Sequence, residues 1–248
     1  MDEHHLELLR RAEVEMVKSW FQSGMRVLEI GGGTGFQAAI IASWGCEVTS
    51  IDIDGPTPGK TLQYPVQRYD GKSLPFPNHR FDIVFSSNVL EHVQDVGRLL
   101  SESRRVLSEQ GMAIHILPSP YWRIWTSLAH YVYVALRVVG KARPLSSGMV
   151  PSLAEKAQQK GIWYVVSRGL VAGPHGEYPS AVHELYAFSQ RRWIRMFREN
   201  GFEMIHCSGN GLFYTGYGVL PRLSLTFRRL MGRVLGSSAR IYVMQVTR

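Results

Sequence analysis

The run in this chain with the clearest chemistry is Val27-Leu28-Glu29-Ile30-Gly31-Gly32-Gly33-Thr34-Gly35-Phe36. It lies where a β-rich stretch gives way to a helical pattern. Ligands of open α/β sheets bind at the carboxyl ends of strands, and glycines there let the backbone turn and approach a ligand with no Cβ in the way. Two ligand classes compete for such a loop. A dinucleotide site has the spacing G-x-G-x-x-G/A, with pyrophosphate on the following helix N-terminus. Gly31 and Gly33 fit that frame, but Phe36 occupies its last position. The spacing present is E-x-G-x-G-x-G, carried by Glu29, Gly31, Gly33 and Gly35. A carboxylate just before the loop repels a pyrophosphate and suits a cationic amino-acid headgroup such as the ammonium of methionine.

Two further acids stand at the ends of the next strand-like runs. Asp52 follows the glycines by about 20 residues, where an acid can accept hydrogen bonds from ribose hydroxyls. Asp54 takes its place if the register is off by two. Asp70-Gly71 ends the third run, where the carboxylate can accept from an adenine amino group, although Asp-Gly is also a common turn.

The elements that must position these residues follow from periodicity. Residues 3–22 carry Leu6, Leu9, Val14, Val17 and Phe21 at helical spacing. Strands are expected at Arg26–Ile30, Glu47–Ile51, Pro65–Tyr69, Phe81–Phe85 and Met112–Leu117, with helices at Phe36–Trp44 and Val96–Leu107, the latter closed by Gly111. This alternation is the signature of βαβ units and a parallel sheet covered on both faces. Regularity is lost from 119 to about 180. It returns with a helix over Gln190–Asn200, a strand over Phe202–Cys207 and a terminal strand over Arg240–Val246.

Taken together, VLEIGGGTG, DGKSLPFPNHRFDIVFSSNVLEHV and RRVLSEQG resemble the class I S-adenosylmethionine-dependent methyltransferases, specifically the type 11 methyltransferase domain, over about residues 25–118. The resemblance implies a Rossmann-like α/β fold: a mostly parallel seven-stranded sheet with helices on both faces and an insertion after the fifth strand. It implies that Glu29, Gly31, Gly33 and Gly35 form the loop for S-adenosyl-L-methionine, that Asp52 binds its ribose and Asp70-Gly71 its adenine. Asn88 and Val89 then line the methionine side, and His92 sits close by. A fainter match covers His183–Ser189, Trp193, Phe197 and Asn200-Gly201-Phe202. The expected organisation is a cofactor-binding core at 1–118, an insertion forming a lid or substrate region at 119–182, and completion of the same α/β domain at 183–248.

Methyl transfer from a sulfonium needs an aligned acceptor and, for a hydroxyl or amine, a group to take its proton. His92, His175 and His183 are the candidate bases. His175, His183 and Glu184 match no metal-ligand spacing, and no metal is expected. The tetrapeptide D/N-P-P-Y/F of N-methylating enzymes is missing, since Ser86-Ser87-Asn88-Val89 follows the fourth strand; oxygen or carbon acceptors are favoured.

The composition, 45% hydrophobic and 19% charged, is that of a globular protein and excludes a disordered chain. Cys46 and Cys207 read as buried reduced thiols, and the polar N-terminus lacks the features of a signal peptide. A cytoplasmic location is expected. Residues 1–118 carry a net charge of −4 and residues 119–248 one of +12, so an anionic partner suits the second half. Two segments, 121–139 and 222–235, alternate apolar and basic residues. They are expected to cover the substrate pocket or to touch a membrane surface peripherally, and neither suits a span, because charges interrupt them. The preferred acceptor is a small or lipid-linked anionic molecule. An RNA or tRNA methyltransferase is the alternative, although no RNA-binding module is present and a nucleic-acid partner is not expected; a noncatalytic cofactor-binding protein is the other.

Overall fold

The structure is a computed structural model that describes residues 3–54, 61–138, 175, 178, 180–217 and 223–247. Along the chain these form α1 (Glu3–Glu15), β1 (Arg26–Ile30), α2 (Phe36–Ser43), β2 (Glu47–Asp52), β3 (Val66–Arg68), β4 (Phe81–Ser87), α3 (Val96–Val106), β5 (Leu107–Pro118) and α4 (Pro120–Val138). Then come α5 (Ala181–Ala187), α6 (Gln190–Glu199), β6 (Phe202–Gly209), α7 (Leu225–Leu235) and β7 (Ala239–Val246). The seven strands form one sheet in the order β3-β2-β1-β4-β5-β7-β6. The first five are parallel, and β7 runs antiparallel to both β5 and β6. The expected mostly parallel, seven-stranded sheet is therefore observed.

Its strands read as near-continuous apolar runs because both faces are covered. Val27, Ile83, Phe85, Ile114, Ile116 and Val243 point into one layer with Leu9, Val14 and Val17 of the α1 region and Ile41 of α2. Leu28, Ile30, Val84, Ala113, Tyr242 and Met244 point into the other, against Leu99 and Leu100 of α3 and Trp193 and Phe197 of α6. Several helices start on residues that suit an N-cap. Asp95, Ser180, Ser189 and Ser224 each accept a backbone N–H from the first turn of the helix that follows.

Two elements depart from the periodicity. The helical pattern over 3–22 breaks after Glu15 and continues as a single 3-10 turn at Lys18–Trp20. Gly111, expected to close the third helix, instead lies within β5, which begins at Leu107. There Leu107 pairs with Phe81 and Met112 with Ile83, so 108–111 form extra chain opposite one residue of β4, a bulge that a glycine accommodates. The alternating apolar and basic segment expected at 222–235 is a helix, α7, from Leu225 to Leu235.

The first helix is locked to the loop at 210–214 that follows β6. Glu13 is fully buried. It accepts from the Tyr214 hydroxyl (2.5 Å), Asn210 Nδ2 (2.9 Å) and Arg10 Nη1 (2.7 Å). Helix α4 is two-sided: Trp122, Arg123, Thr126, Ala129 and His130 are buried, whereas Ile124, Leu128, Tyr131 and Val132 are exposed. Trp125 Nε1 donates to the Leu235 carbonyl (2.9 Å), which seats the end of α7 beside α4. Among the described residues no helix is long and apolar enough to cross a membrane. The expected insertion, 119–182, lies largely outside the described residues beyond Val138.

Within α7, Gly232 faces the Gly211 carbonyl, and an added Cβ would lie 2.4 Å from that oxygen. Helix propensity alone would make Gly232→Ala stabilising by about 1 kcal/mol. Backbone cannot retreat as a side chain can, so the clash outweighs that gain, and we expect a net loss of about 1–3 kcal/mol. Urea unfolding checks this; a rise in the midpoint would show that α7 is not seated against the 211 loop.

Candidate active site

Strand order reverses between β1 and β4, and the crevice above that reversal is where open α/β sheets bind ligands. Here it is a cleft of about 680 Å³. Its lining includes Gly31, Asp52, Asp70, Gly71, Asn88, Val89 and His92. Seven of the residues singled out in the sequence therefore meet at one place, although they come from the ends of four strands or the turns after them.

Each is held there by local structure. Gly31 leaves β1 at φ +80° and donates its N–H to the Ile51 carbonyl (2.8 Å), tying the loop to the end of β2. A Cβ at Gly31 would lie 2.3 Å from a Val89 methyl, so only glycine allows the two loops to pack. Gly35 caps α2 in the left-handed conformation, φ +75°, with no space for a Cβ against the backbone of Tyr64. Asp52 Oδ2 accepts from the Gly33 N–H at 2.8 Å, which fixes loop and acid together. Asp54, the alternative acid, also lines the cleft. Asp70 Oδ1 accepts from the N–H groups of Ser73 (2.9 Å) and Lys72 (2.8 Å). Those bonds lower its pKa and hold it ionised. Arg105 braces the same loop, donating to the carbonyls of Leu74 (2.9 Å) and Phe76 (2.7 Å) and to Glu102. Asn88 adopts φ +55°, uncommon outside glycine, with its N–H bonded to the Ile116 carbonyl at 2.8 Å.

Glu29 is placed differently from the others. It lies beneath the glycine loop, 2% exposed, where its Oε2 accepts from Ser50 Oγ at 2.5 Å. Desolvation pushes its carboxyl up to about 7, against the pull of the Ser50 hydroxyl and with Asp52 adding to the rise. Gly33 and Gly35 complete the loop and do not line the cleft.

The candidate bases separate. His92 ends a 3-10 turn, Leu90–His92, at the edge of the cleft. His175 stacks edge-on against it, with ring centroids 4.9 Å apart, and also meets Trp122 at 4.7 Å. Desolvation, helped by His92, Arg123 and Arg10, holds the His175 imidazole down at about 4. His183 is exposed in the first turn of α5 and bonds Ser180 Oγ through Nδ1 at 2.8 Å, away from the cleft lining.

Beside His92 lies a group of buried charges that periodicity did not single out. Arg123 of α4 meets Glu184 of α5 at 3.2 Å, both essentially inaccessible. Glu184 also accepts the backbone N–H of His175. Arg10 and Glu13 of α1 form a second pair at 2.7 Å. Between these pairs stands Glu91, 1% exposed, whose carboxyl desolvation raises to about 8, with Arg10 opposing the rise and Glu13 and Glu184 adding to it. The available signal was Arg123 standing alone within the apolar run 121–136, since an arginine is rarely buried unless paired.

The cleft residues fit an adenosine carrying a positive charge. Four aspartates, Asp52, Asp54, Asp70 and Asp95, line it against Lys72 and Arg98. Such a surplus of acid favours a cation over a pyrophosphate.

Comparison with known proteins agrees with this geometry. A family model described as "Methyltransferase domain" matches residues 1–207. An uncharacterized methyltransferase of Mycobacterium sp. (strain KMS) is 36% identical over 118 residues, covering 44% of this chain and 46% of that protein. The biotin biosynthesis bifunctional protein BioHC of Cellvibrio japonicus is 33% identical over 147 residues, covering 55% of this chain and 27% of that protein. The match thus spans less than half the length of these relatives. Among solved structures, a methyltransferase from Mesorhizobium loti that depends on S-adenosylmethionine aligns with a TM-score of 0.53 at 18% identity, over 94% of this chain and 97% of that one. The 1,6-didemethyltoxoflavin-N1-methyltransferase of Burkholderia thailandensis, solved with 1,6-didemethyltoxoflavin and S-adenosylhomocysteine, aligns at 0.54 and 13% identity, over 96% and 78%. These likenesses show the Rossmann-like methyltransferase fold, and S-adenosylmethionine is the expected cofactor. On the family match over most of its length, the chain belongs to the methyltransferase domain family.

Proposed function

We propose that this protein transfers the methyl group of S-adenosylmethionine to an oxygen or carbon atom of a small or lipid-linked anionic acceptor. The observation that carries the donor half is the meeting of Gly31, Asp52, Asp70-Gly71 and Asn88-Val89 in one acid-rich cleft. In this reading Asp52 takes the ribose hydroxyls, and Asp70 with Gly71 takes the adenine. The loop Gly31–Gly35 and Asn88-Val89 hold the methionine portion. The cofactor supplies an electrophilic methyl on a good leaving group. The chain's own work is then to align the acceptor and exclude water, and His92, which lines the cleft, can accept a proton where the acceptor has one to lose.

Support for a lipid-linked acceptor comes from α4 and α7. Ile124, Leu128, Tyr131 and Val132 on one helix and Phe227, Leu230 and Val234 on the other are all exposed, with Arg229 and Arg233 alongside. Between these helices and the 213–217 loop lies an apolar cavity of about 270 Å³, lined in part by Trp125, Leu128, Val132 and Phe213. An apolar face edged with arginines suits an anionic membrane surface, and the cavity suits an acyl or prenyl chain.

Titration calorimetry tests the donor. S-adenosylmethionine should bind and NAD should not, and Asp52→Ala or Asp70→Ala should weaken binding at least about tenfold, the loss of one to two hydrogen bonds to charged groups. Binding of NAD in preference would overturn the reading.

Glu29 adds a pH dependence. A cationic donor above the loop and an ionised Glu29 below it stabilise each other. Protonation through about 7 removes that attraction. Donor affinity should therefore rise with pH up to about 7 and level off above it, and Glu29→Gln should flatten the profile. A wild-type profile that is already flat would remove Glu29 from donor binding.

For the acceptor, labelled donor is incubated with cell extract separated into lipid, RNA, protein and small-molecule pools. Label should enter the lipid or small-molecule pool, and the protein should float with anionic vesicles at low salt. Leu128→Glu with Leu230→Glu should abolish flotation. Label confined to RNA would replace this acceptor class.

A further inference from the structure

Glu91, His92 and His175 form the one group of metal-ligating side chains found among the described residues, with one donor atom from each lying within 4.8 Å of the others. Two come from the turn after β4, and the third comes from about 80 residues further along the chain. Glu91 has no exposed side-chain surface, and neither of its carboxylate oxygens has a hydrogen-bond partner. A buried carboxylate in that condition is costly, because desolvation penalises the ion and no donor offsets it. The nearby cations do not resolve the cost: Arg10 is paired with Glu13 and Arg123 with Glu184. An ionised Glu91 would be one negative charge more than the two pairs balance, a charge that a bound cation can offset. His92 Nε2 lies 3.9 Å from Glu91 Oε1, and the rings of His92 and His175 meet edge to face with their centroids 4.9 Å apart.

We propose that Glu91, His92 and His175 bind a divalent metal ion at the edge of the cofactor cleft. Two imidazoles and a carboxylate suit zinc or another first-row divalent ion, and three protein ligands leave positions open. Bonds of about 2.0–2.2 Å would bring the donors to within roughly 3–3.6 Å of one another. The present spread of up to 4.8 Å must therefore contract by about an ångström, which rotation of the two exposed rings can supply. His92 also lines the cleft, so the open positions stand where an acceptor oxygen could reach them. That last use rests on the methyl-transfer reading; the ion site itself does not.

The full-length, metal-free protein is dialysed against zinc at micromolar concentration and assayed by elemental analysis, with cobalt as a spectroscopic probe. One ion per chain is expected. Both Glu91→Gln and His175→Ala should weaken binding at least tenfold, and the cobalt absorption of an imidazole-containing site should vanish with it. His175→Ala alters an exposed side chain and guards against a folding defect in Glu91→Gln. A Glu91 that is simply kept protonated predicts no stoichiometric ion. That result, or binding that survives in either variant, overturns the proposal. S-adenosylmethionine calorimetry on the same preparations separates the two readings: a chain that takes up the ion but not the donor would defeat the methyl-transfer reading and leave the ion site standing.

Discussion

The contact between Gly31 and Val89 is the constraint on which the site depends. The connections leaving β1 and β4 run to opposite sides of the sheet, so a crevice opens above the strands between them. Its floor closes only because the first residue after β1 has no side chain, and a single added carbon would intrude on Val89. From this contact the loop passes to Gly33, whose N–H is held by Asp52, and on to Gly35, which starts α2. The second strand's acid is thus positioned by the first strand's loop. Neither would keep its geometry if the other were withdrawn.

The buried charges beside the cleft are built on another principle. They come from α1, the turn after β4, α4 and α5, and they meet through charge rather than backbone. Burying an ion costs several kcal/mol unless a partner is held in good geometry. Arg123 with Glu184 meets that condition and joins α4 to α5, whereas Arg10 with Glu13 lies within α1, which is tied to the rest of the protein through Glu13 with Tyr214 and Asn210. Weakening one partner would strand the other in a dry interior. The arrangement therefore favours one docking of α1, α4 and α5 over its neighbours, and that docking shapes the space beside His92.

These two modes of construction explain what could be read in advance. Donor-site residues are local in sequence: a strand, a glycine loop and an acid at the next strand end recur at short spacing. Period-two and period-3.6 patterns therefore located the strands, the glycine loop and the acids Asp52 and Asp70 at strand ends to within a residue or two, and the family resemblance added Asn88. Gly111 misled because a glycine that ends a helix and one that relieves a bulge look alike without the partner strand. Glu29 was legible as part of the motif but not as a buried group, since its solvent is excluded by Ser50 and the loop above it. Glu91 was invisible as chemistry, and Glu184 was weighed only as a metal ligand and not as the partner of Arg123. Their importance comes from desolvation and from arginines more than 50 residues away, and neither leaves a trace in spacing.

The same contrast bears on how the two halves can vary. A site made from backbone turns tolerates few substitutions at its glycines, but it places almost no demand on distant sequence. A site made from buried pairs can change one pair at a time if charge is replaced with charge, and each change alters the shape and polarity offered to an acceptor. Charge is divided along the chain, −4 over residues 1–118 and +12 over residues 119–248, and four aspartates line the cleft in the structure. If the proposed acceptor is anionic, electrostatics would align it with a cationic donor in the acid-lined cleft before any side chain takes a proton.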